Sequence, residues 1–314
     1  MIGDALRALF NGAFGSWYAF GSGTLVRATP LILTGLAVAI AFRAGVFNIG
    51  AEGQLLMGAA AAAAFALLVP GLPAVVMIPA VLTSGAIAGA VWAGIAALLK
   101  QRFRVLEVIS TLMLNFVAEY FVSYLVRGPL QEPTHVYPQT STITNAAQLP
   151  RISDASRLHL GFAIAVVACV VTWWIMRYTA AGFRLRAAGA NPFAARSAGM
   201  IDVDRVTVRA FVASGALAGL AGAVEVAGVT YALYENLSPG YGFTAIAVAL
   251  LARLNALGVI ATGILFGALE AGASAMQRDA GVPSVVVSVV EAAIILAVLA
   301  FERIRRARIV ASPA

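Results

Sequence analysis

FRAGVFNIGAEGQLLMG, residues 42–58, lies between two long apolar runs yet holds Asn48, Glu52 and Gln54, with Gly45, Gly50, Gly53 and Gly58 threaded through it. Burying a carboxylate and two carboxamides costs free energy unless each finds a partner, a wet cavity or a ligand. Glycines at this density let a backbone bend, pack closely or leave the helical path. The stretch therefore reads as a break in a membrane-spanning path, lined with hydrogen-bonding groups. Non-helical backbone at membrane depth survives where protein or water covers it, and transport sites are built at such places.

The rest of the chain fits a membrane setting. Its 314 residues are 61% hydrophobic and 11% charged, with a mean hydropathy of +0.91. A soluble domain carries about 25% charged residues. The expected fold is all-α, a polytopic membrane helix bundle. Apolar segments fall at 25–42, 52–69, 73–99, 106–126, 159–177, 207–230, 241–252, 257–276 and 283–301. Most reach the roughly 20 residues that cross about 30 Å of hydrocarbon. The 241–252 piece is too short to span as a straight helix and reads as re-entrant. About eight to nine transmembrane segments with one broken or re-entrant element are thus expected.

Around these segments the chain divides into an interfacial stretch at 1–23, rich in Phe, Trp and Tyr, a membrane domain at 24–302, and a basic tail at 303–314. Two hydrophilic loops interrupt the domain, at 127–158 and 178–206. The net charge of +7 sits mainly in short loops. With the Lys100 loop placed inside, fifteen of the 21 Lys and Arg fall on the inner side and six on the outer. That bias is the positive-inside signature, so the carboxyl terminus is expected in the cytoplasm. It argues against nucleic acid as a partner. No compact apolar h-region marks residues 1–23 as a cleaved signal peptide.

Several chemistries find no residues to run on. Lys100 is the only lysine and lies in LLKQRF, so no GxxxxGK[ST] phosphate loop exists and the chain is not its own ATPase. No HExxH or metal-spaced cluster occurs, and Cys169 is the single cysteine. The expectation is a non-enzyme without metal or cofactor of its own.

What remains are polar groups inside apolar segments. Glu52, Glu107, Glu119, Glu225, Glu270 and Glu291 are carboxylates of this kind. Such groups mark a substrate or proton path, or else bond between helices and snorkel to the interface. The second reading is the stronger one for Glu107 and Glu270. Glu52 reads as functional, because Asn48 precedes it by one helical turn. Glu107, Ser110/Thr111 and Asn115 share one helix face, a wetted stripe. Ser and Thr also bond their own backbone, whereas Asn115 needs an external partner. Asn48, Glu52, Gln54, Ser110, Thr111 and Asn115 are the candidate pathway residues.

Two further features concern assembly. In the loop at 178–206, Asn191-Pro192 is a helix start, with Asn as cap and Pro in the first turn. Phe193, Ala194 and onward to Met200 would form a short amphipathic helix, ended by Gly199. In SGALAGLAGAVEVAG (214–228), Gly215, Gly219 and Gly222 give small-xxx-small spacings that let membrane helices approach closely.

Five blocks in order carry a resemblance: residues 42–58, EVISTLMLNFVA (107–118), AAGANPFAARSAGM (187–200), the 214–228 block and GYGFTAIAVALLARLNALG (240–258). Over residues 24–301 the chain resembles the permease subunits of ATP-binding cassette importers of the branched-chain amino-acid and simple-sugar group, the nucleoside-type permeases above all. The resemblance implies a bacterial inner-membrane subunit working with a second permease, identical or a paralogue. Its other partners would be an ATP-binding subunit with two nucleotide-binding domains and an extracytoplasmic substrate-binding protein. ATP would be bound by the partner. Asn191 to Met200 would be the coupling helix seated in the ATPase, and the loop at 127–158 would meet the binding protein. The polar residues around Asn48, Glu52 and Asn115 would line the path of an uncharged polar solute such as a ribonucleoside. Members of the family usually carry one more amino-terminal helix before the segment corresponding to Ala8–Phe20; its absence would account for the outward amino terminus that nine crossings and an inner carboxyl terminus imply. A simple-sugar permease is the alternative, and a proton-coupled secondary transporter using Glu52 a more distant one.

Overall fold

The structure is a computed structural model that describes residues 2–153, 155–197, 201–283 and scattered positions between 285 and 297. Among the described residues there is no strand, and helices dominate. In chain order they are α1 (Ile2–Phe14), α2 (Ala19–Arg43), α3 (Ala51–Leu68), α4 (Ala74–Phe103), α5 (Glu107–Arg127), α6 (Gly161–Tyr178), α7 (Ala180–Ala190), α8 (Pro192–Ser197), α9 (Val203–Thr230), α10 (Tyr241–Leu251) and α11 (Ala256–Ala280).

Seven of these, α2 to α6, α9 and α11, are long and apolar enough to cross a membrane. The fold is a polytopic helical bundle. Helix α10 has 11 residues, about 16 Å of helix, too short to span alone. The apolar run at 283–301 falls mostly outside the described residues. Helix α2 begins at Ala19, earlier than the expected 25, because Ala19–Leu25 forms a π turn that continues into the α-helix.

Burial sorts the helices into layers. The most apolar 18 residues of α2 are 89% buried, those of α9 72%, and those of α6 only 17%. Helices α2 and α9 therefore form the centre, and α4, α5 and α6 turn apolar side chains outward. Lipid makes that arrangement stable, since an apolar surface costs nothing against hydrocarbon.

Close backbone approach holds the centre together. A Cβ on Gly219 would lie 2.2 Å from the Gly85 carbonyl oxygen, and one on Gly222 would lie 2.0 Å from the Leu55 carbonyl oxygen. Helices α3, α4 and α9 thus touch main chain to main chain at these points.

The long loop after α5 is ordered. Thr140, Ile143 and Leu149 donate their backbone N–H groups to the carbonyls of Leu233, Tyr231 and Ala227 at 2.8 Å each. Ile143, Ala147 and Leu149 are buried. The loop therefore lies antiparallel to residues 227–233 and covers that end of the bundle.

Candidate functional site

The path of α2 ends at Ala44, and Gly45 turns the chain with φ +76°. Six residues later, at Ala51, α3 begins. The break between them is held by side chains of α3 itself and of two other helices, α5 and α9. Asn48 is fully buried; its Nδ2 donates to Gln54 Oε1 (3.0 Å) and to Ser214 Oγ of α9 (2.9 Å). Its Oδ1 accepts from the Gly50 N–H (2.9 Å) and from Gln54 Nε2 (3.0 Å). From α5, Thr111 Oγ1 accepts the Ile49 N–H (3.2 Å), Asn115 Nδ2 donates to the Ile49 carbonyl (2.9 Å), and Asn115 Oδ1 accepts the Gly53 N–H (2.9 Å). Unsatisfied backbone groups in a bundle interior are costly. Here the amide side chains replace the helical hydrogen bonds that the break forfeits.

Glu52 faces elsewhere. Asn48 precedes the first turn of α3, so the two do not share a helix face as their spacing suggests. Glu52 Oε2 accepts the Gly242 N–H at 2.6 Å, in the first turn of α10. The start of a helix favours negative charge, which offsets the cost of burying this carboxylate. A second irregular stretch, residues 231–240, leads into α10. Two interrupted paths therefore meet at Glu52 and Gly242.

A cavity of about 510 Å³ opens at this meeting point. Glu52 and Asn115 lie at its floor, with Glu119, Tyr120, Glu235 and Ser238 along its walls. It follows α5 from Asn115 to Ser123, about 12 Å of helix. At the far end Arg127 Nε and a terminal nitrogen bind Glu235 in a fork at 2.6 and 2.7 Å, and the Ser123 hydroxyl also donates to Glu235. The Arg127 guanidinium, helped by that hydroxyl, holds the Glu235 carboxyl down at about 2.

Of the sequence-predicted pathway residues, Glu52 and Asn115 line the cavity. Asn48, Gln54 and Thr111 are buried in the hydrogen-bonded break beside it. Ser110 bonds its own helix at the Glu107 carbonyl (3.2 Å). Residue-by-residue reading missed Ser214, Glu235, Ser238 and Gly242. The Ser-Pro-Gly turn at 238–240 was a usable signal for an interrupted path; Ser214 was hidden in a stripe read only as packing.

The assembly residues lie at the other end of the bundle. Asn191 Oδ1 accepts the Ala194 N–H (3.0 Å), and Pro192 is the first residue of the short helix α8. Phe193 is 81% exposed. Gly199 and Met200 lie outside the described residues. Helix α7, which leads into α8, touches the break: a Cβ on Gly189 would come 2.1 Å from the Arg43 carbonyl oxygen. Gly215 packs on Gly89 of α4, beside the Gly219 and Gly222 contacts.

Comparison with known proteins places this architecture. No solved structure matches the chain. The guanosine ABC transporter permease protein NupP of Bacillus subtilis is 42% identical over 97% of this chain and 87% of its own length. The glucose ABC transporter permease protein TsgB13 of Haloferax volcanii is 42% identical over 91% and 77%. The nucleoside ABC transporter permease protein NupB of Lactococcus lactis is 36% identical over 91% and 80%. A family model described as branched-chain amino acid transport system / permease component matches residues 21–299. Both breaks, the cavity and, save for the first two residues of α2, the seven long helices fall inside that match, and the chain belongs to this permease family.

Proposed function

We propose that this chain is the membrane-spanning permease subunit of an ATP-binding cassette importer, and that it moves a nucleoside or a related polar, uncharged solute into the cytoplasm. The observation that carries the reading is the cavity where two interrupted helical paths meet. Its volume falls in the range of small-molecule sites, about 300–1,000 Å³. Its lining pairs carboxylates and two amides with aromatic rings, Phe116, Tyr120 and Phe243. Hydroxyls of a ribose suit the former and the flat face of a base the latter. The relatives named for guanosine and nucleosides support the same class.

On this reading ATP is bound and hydrolysed by a separate subunit with two nucleotide-binding domains, and α8 seats in it with the exposed Phe193. A substrate-binding protein docks on the covered end. The carboxyl terminus lies in the cytoplasm, a placement that the positive-inside bias supports, and the second permease of the pair is a paralogue. A simple sugar is the second reading, supported by the equal identity to a glucose permease.

Uptake into vesicles tests this. The chain is reconstituted with its ATPase, second permease and binding protein, and labelled guanosine, uridine and glucose are offered with and without ATP. ATP-dependent nucleoside uptake is expected. Glucose uptake alone would move the assignment to sugars. Uptake that ignores ATP and collapses with the proton gradient would overturn the importer reading.

A further inference from the structure

A second cavity, of about 410 Å³, lies apart from the pathway between α1, α2 and α11, at the end covered by the long loop. Arg27, Arg157 and Arg278 all line it, and they come from three separate parts of the chain. The one carboxylate in the lining is Asp279. Glu225, buried nearby on α9, interacts electrostatically with Arg27 and Arg157. Arg27 is anchored by a 3.3 Å bond to Ser274 Oγ, and the backbone N–H of Arg157 donates to Ser22 Oγ at 2.8 Å. The wall between the arginines is made of small residues, including Gly12, Gly23 and Ala271, which keep the space open. Three guanidinium groups against one lining carboxylate leave the cavity with an excess of positive charge that a further anion would offset.

The setting indicates the kind of anion. Phe10, Phe14, Phe20 and Trp17 form a ladder of rings, in that order, with successive centroid contacts of 5.7, 5.9 and 6.0 Å. Trp17 is 72% exposed, and Tyr18, also exposed, lines the cavity. Aromatic side chains of this sort settle at the headgroup level of a bilayer. The arginine cavity therefore opens at headgroup depth, within reach of lipid phosphates, which guanidinium groups bind in a fork.

We propose that this cavity is a phosphate-group site, occupied by the headgroup of an anionic phospholipid that wedges between α1 and the α2–α11 pair. The guanidinium forks bind the phosphate oxygens, and the acyl chains run down the exposed apolar face of α1.

The test uses the full-length permease, purified in zwitterionic detergent. Thermal melting is followed while phosphatidylglycerol, phosphatidylcholine or inorganic phosphate is titrated in. Phosphatidylglycerol is expected to raise the melting temperature of the wild type. The R157Q/R278Q double variant, altered at two exposed side chains, should bind it at least about tenfold more weakly. R151Q, outside the cavity, should match the wild type. Phosphatidylcholine should do little, since its choline cation meets the same arginines. Inorganic phosphate that stabilises the wild type and competes with phosphatidylglycerol would support the site and assign it to a soluble anion. Where the double variant melts lower without ligand, lipid retention by native mass spectrometry on the same two proteins gives the comparison. Equal phosphatidylglycerol binding by wild type and double variant, or no anion effect on the wild type, would overturn the proposal.

Discussion

The side-chain amides of Asn48 and Gln54 are bonded to each other twice, nitrogen to oxygen in both directions at 3.0 Å, with both residues buried. This pair replaces one turn of missing helix. Asn48→Ala leaves the Gln54 amide and the Ser214 hydroxyl without their partner. A buried polar group left unpaired costs about 1–3 kcal/mol. We expect N48A to lose about 2–4 kcal/mol, and S214A about 1 kcal/mol, read as falls in melting temperature in detergent. An unchanged N48A melting point would show that the break is held by other means.

Glu52 separates two mechanisms. Its Oε2 accepts the Gly242 N–H, a role that the carbonyl oxygen of glutamine can also fill. E52Q should keep ATP-dependent uptake within about threefold, whereas E52A should lower it at least about tenfold, because the start of α10 loses its acceptor. If E52Q assembles normally but abolishes uptake, the carboxylate carries a proton and the secondary-transport reading gains.

Phe193 tests the link to the ATPase. At 81% exposure it packs on little within this chain, so F193D should leave the melting point within about 0.5 kcal/mol of wild type. Substrate-stimulated ATP hydrolysis by the assembled transporter should be lost, with binding-protein docking intact. Retained stimulation would remove α8 from the coupling role.

Gly219 and Gly94 form a matched pair of glycine tests. A Cβ on Gly219 would lie 2.2 Å from the Gly85 carbonyl oxygen, while one on Gly94 meets nothing within 4 Å. G219V should cost more than about 3 kcal/mol and reduce folded protein in membranes. G94A, also mid-helix, should be neutral or stabilising by about 0.5–1 kcal/mol. Normal yield of G219V would mean that α4 and α9 can move apart freely.

His159 makes stability depend on pH. It is fully buried between Gly161 and Gly228, its Nδ1 accepts the Gly161 N–H, and Nε2 has no partner. Burial, with the nearby Arg157 charge, pulls the imidazole down to about 4. The unfolded chain binds a proton below about 6.5 while the folded one stays neutral to about 4. Its contribution is therefore complete above pH 6.5 and is lost as pH falls toward 4, by about 3 kcal/mol in all. In H159Q the slope of melting temperature over pH 4–6.5 should flatten. A slope equal to wild type would place the titrating group elsewhere.

Much of this was legible in the residues. The 42–58 stretch announced a break, because glycines and amides at that density cannot continue an apolar helix. The brevity of residues 241–252 announced the second interruption. Asn191 and Pro192 marked a helix start, and the structure forms one there. The i, i+4 spacing of Asn48 and Glu52 misled, because it presumes a helix where the chain has left one.

The sequence by itself determined the class: apolar segment length, charge placement and the two breaks follow from local composition, which any bilayer reads in the same way. Partner choice was decided only by tertiary structure. Asn48 meets Ser214, 166 residues away, Glu52 meets Gly242, 190 residues away, and Asn115 reaches back 62 residues to Gly53. Composition names the donors and acceptors that must be paired, but helix packing sets the distances at which a given pair can close. Those distances depend on contacts such as Gly219 on Gly85, which no local pattern encodes.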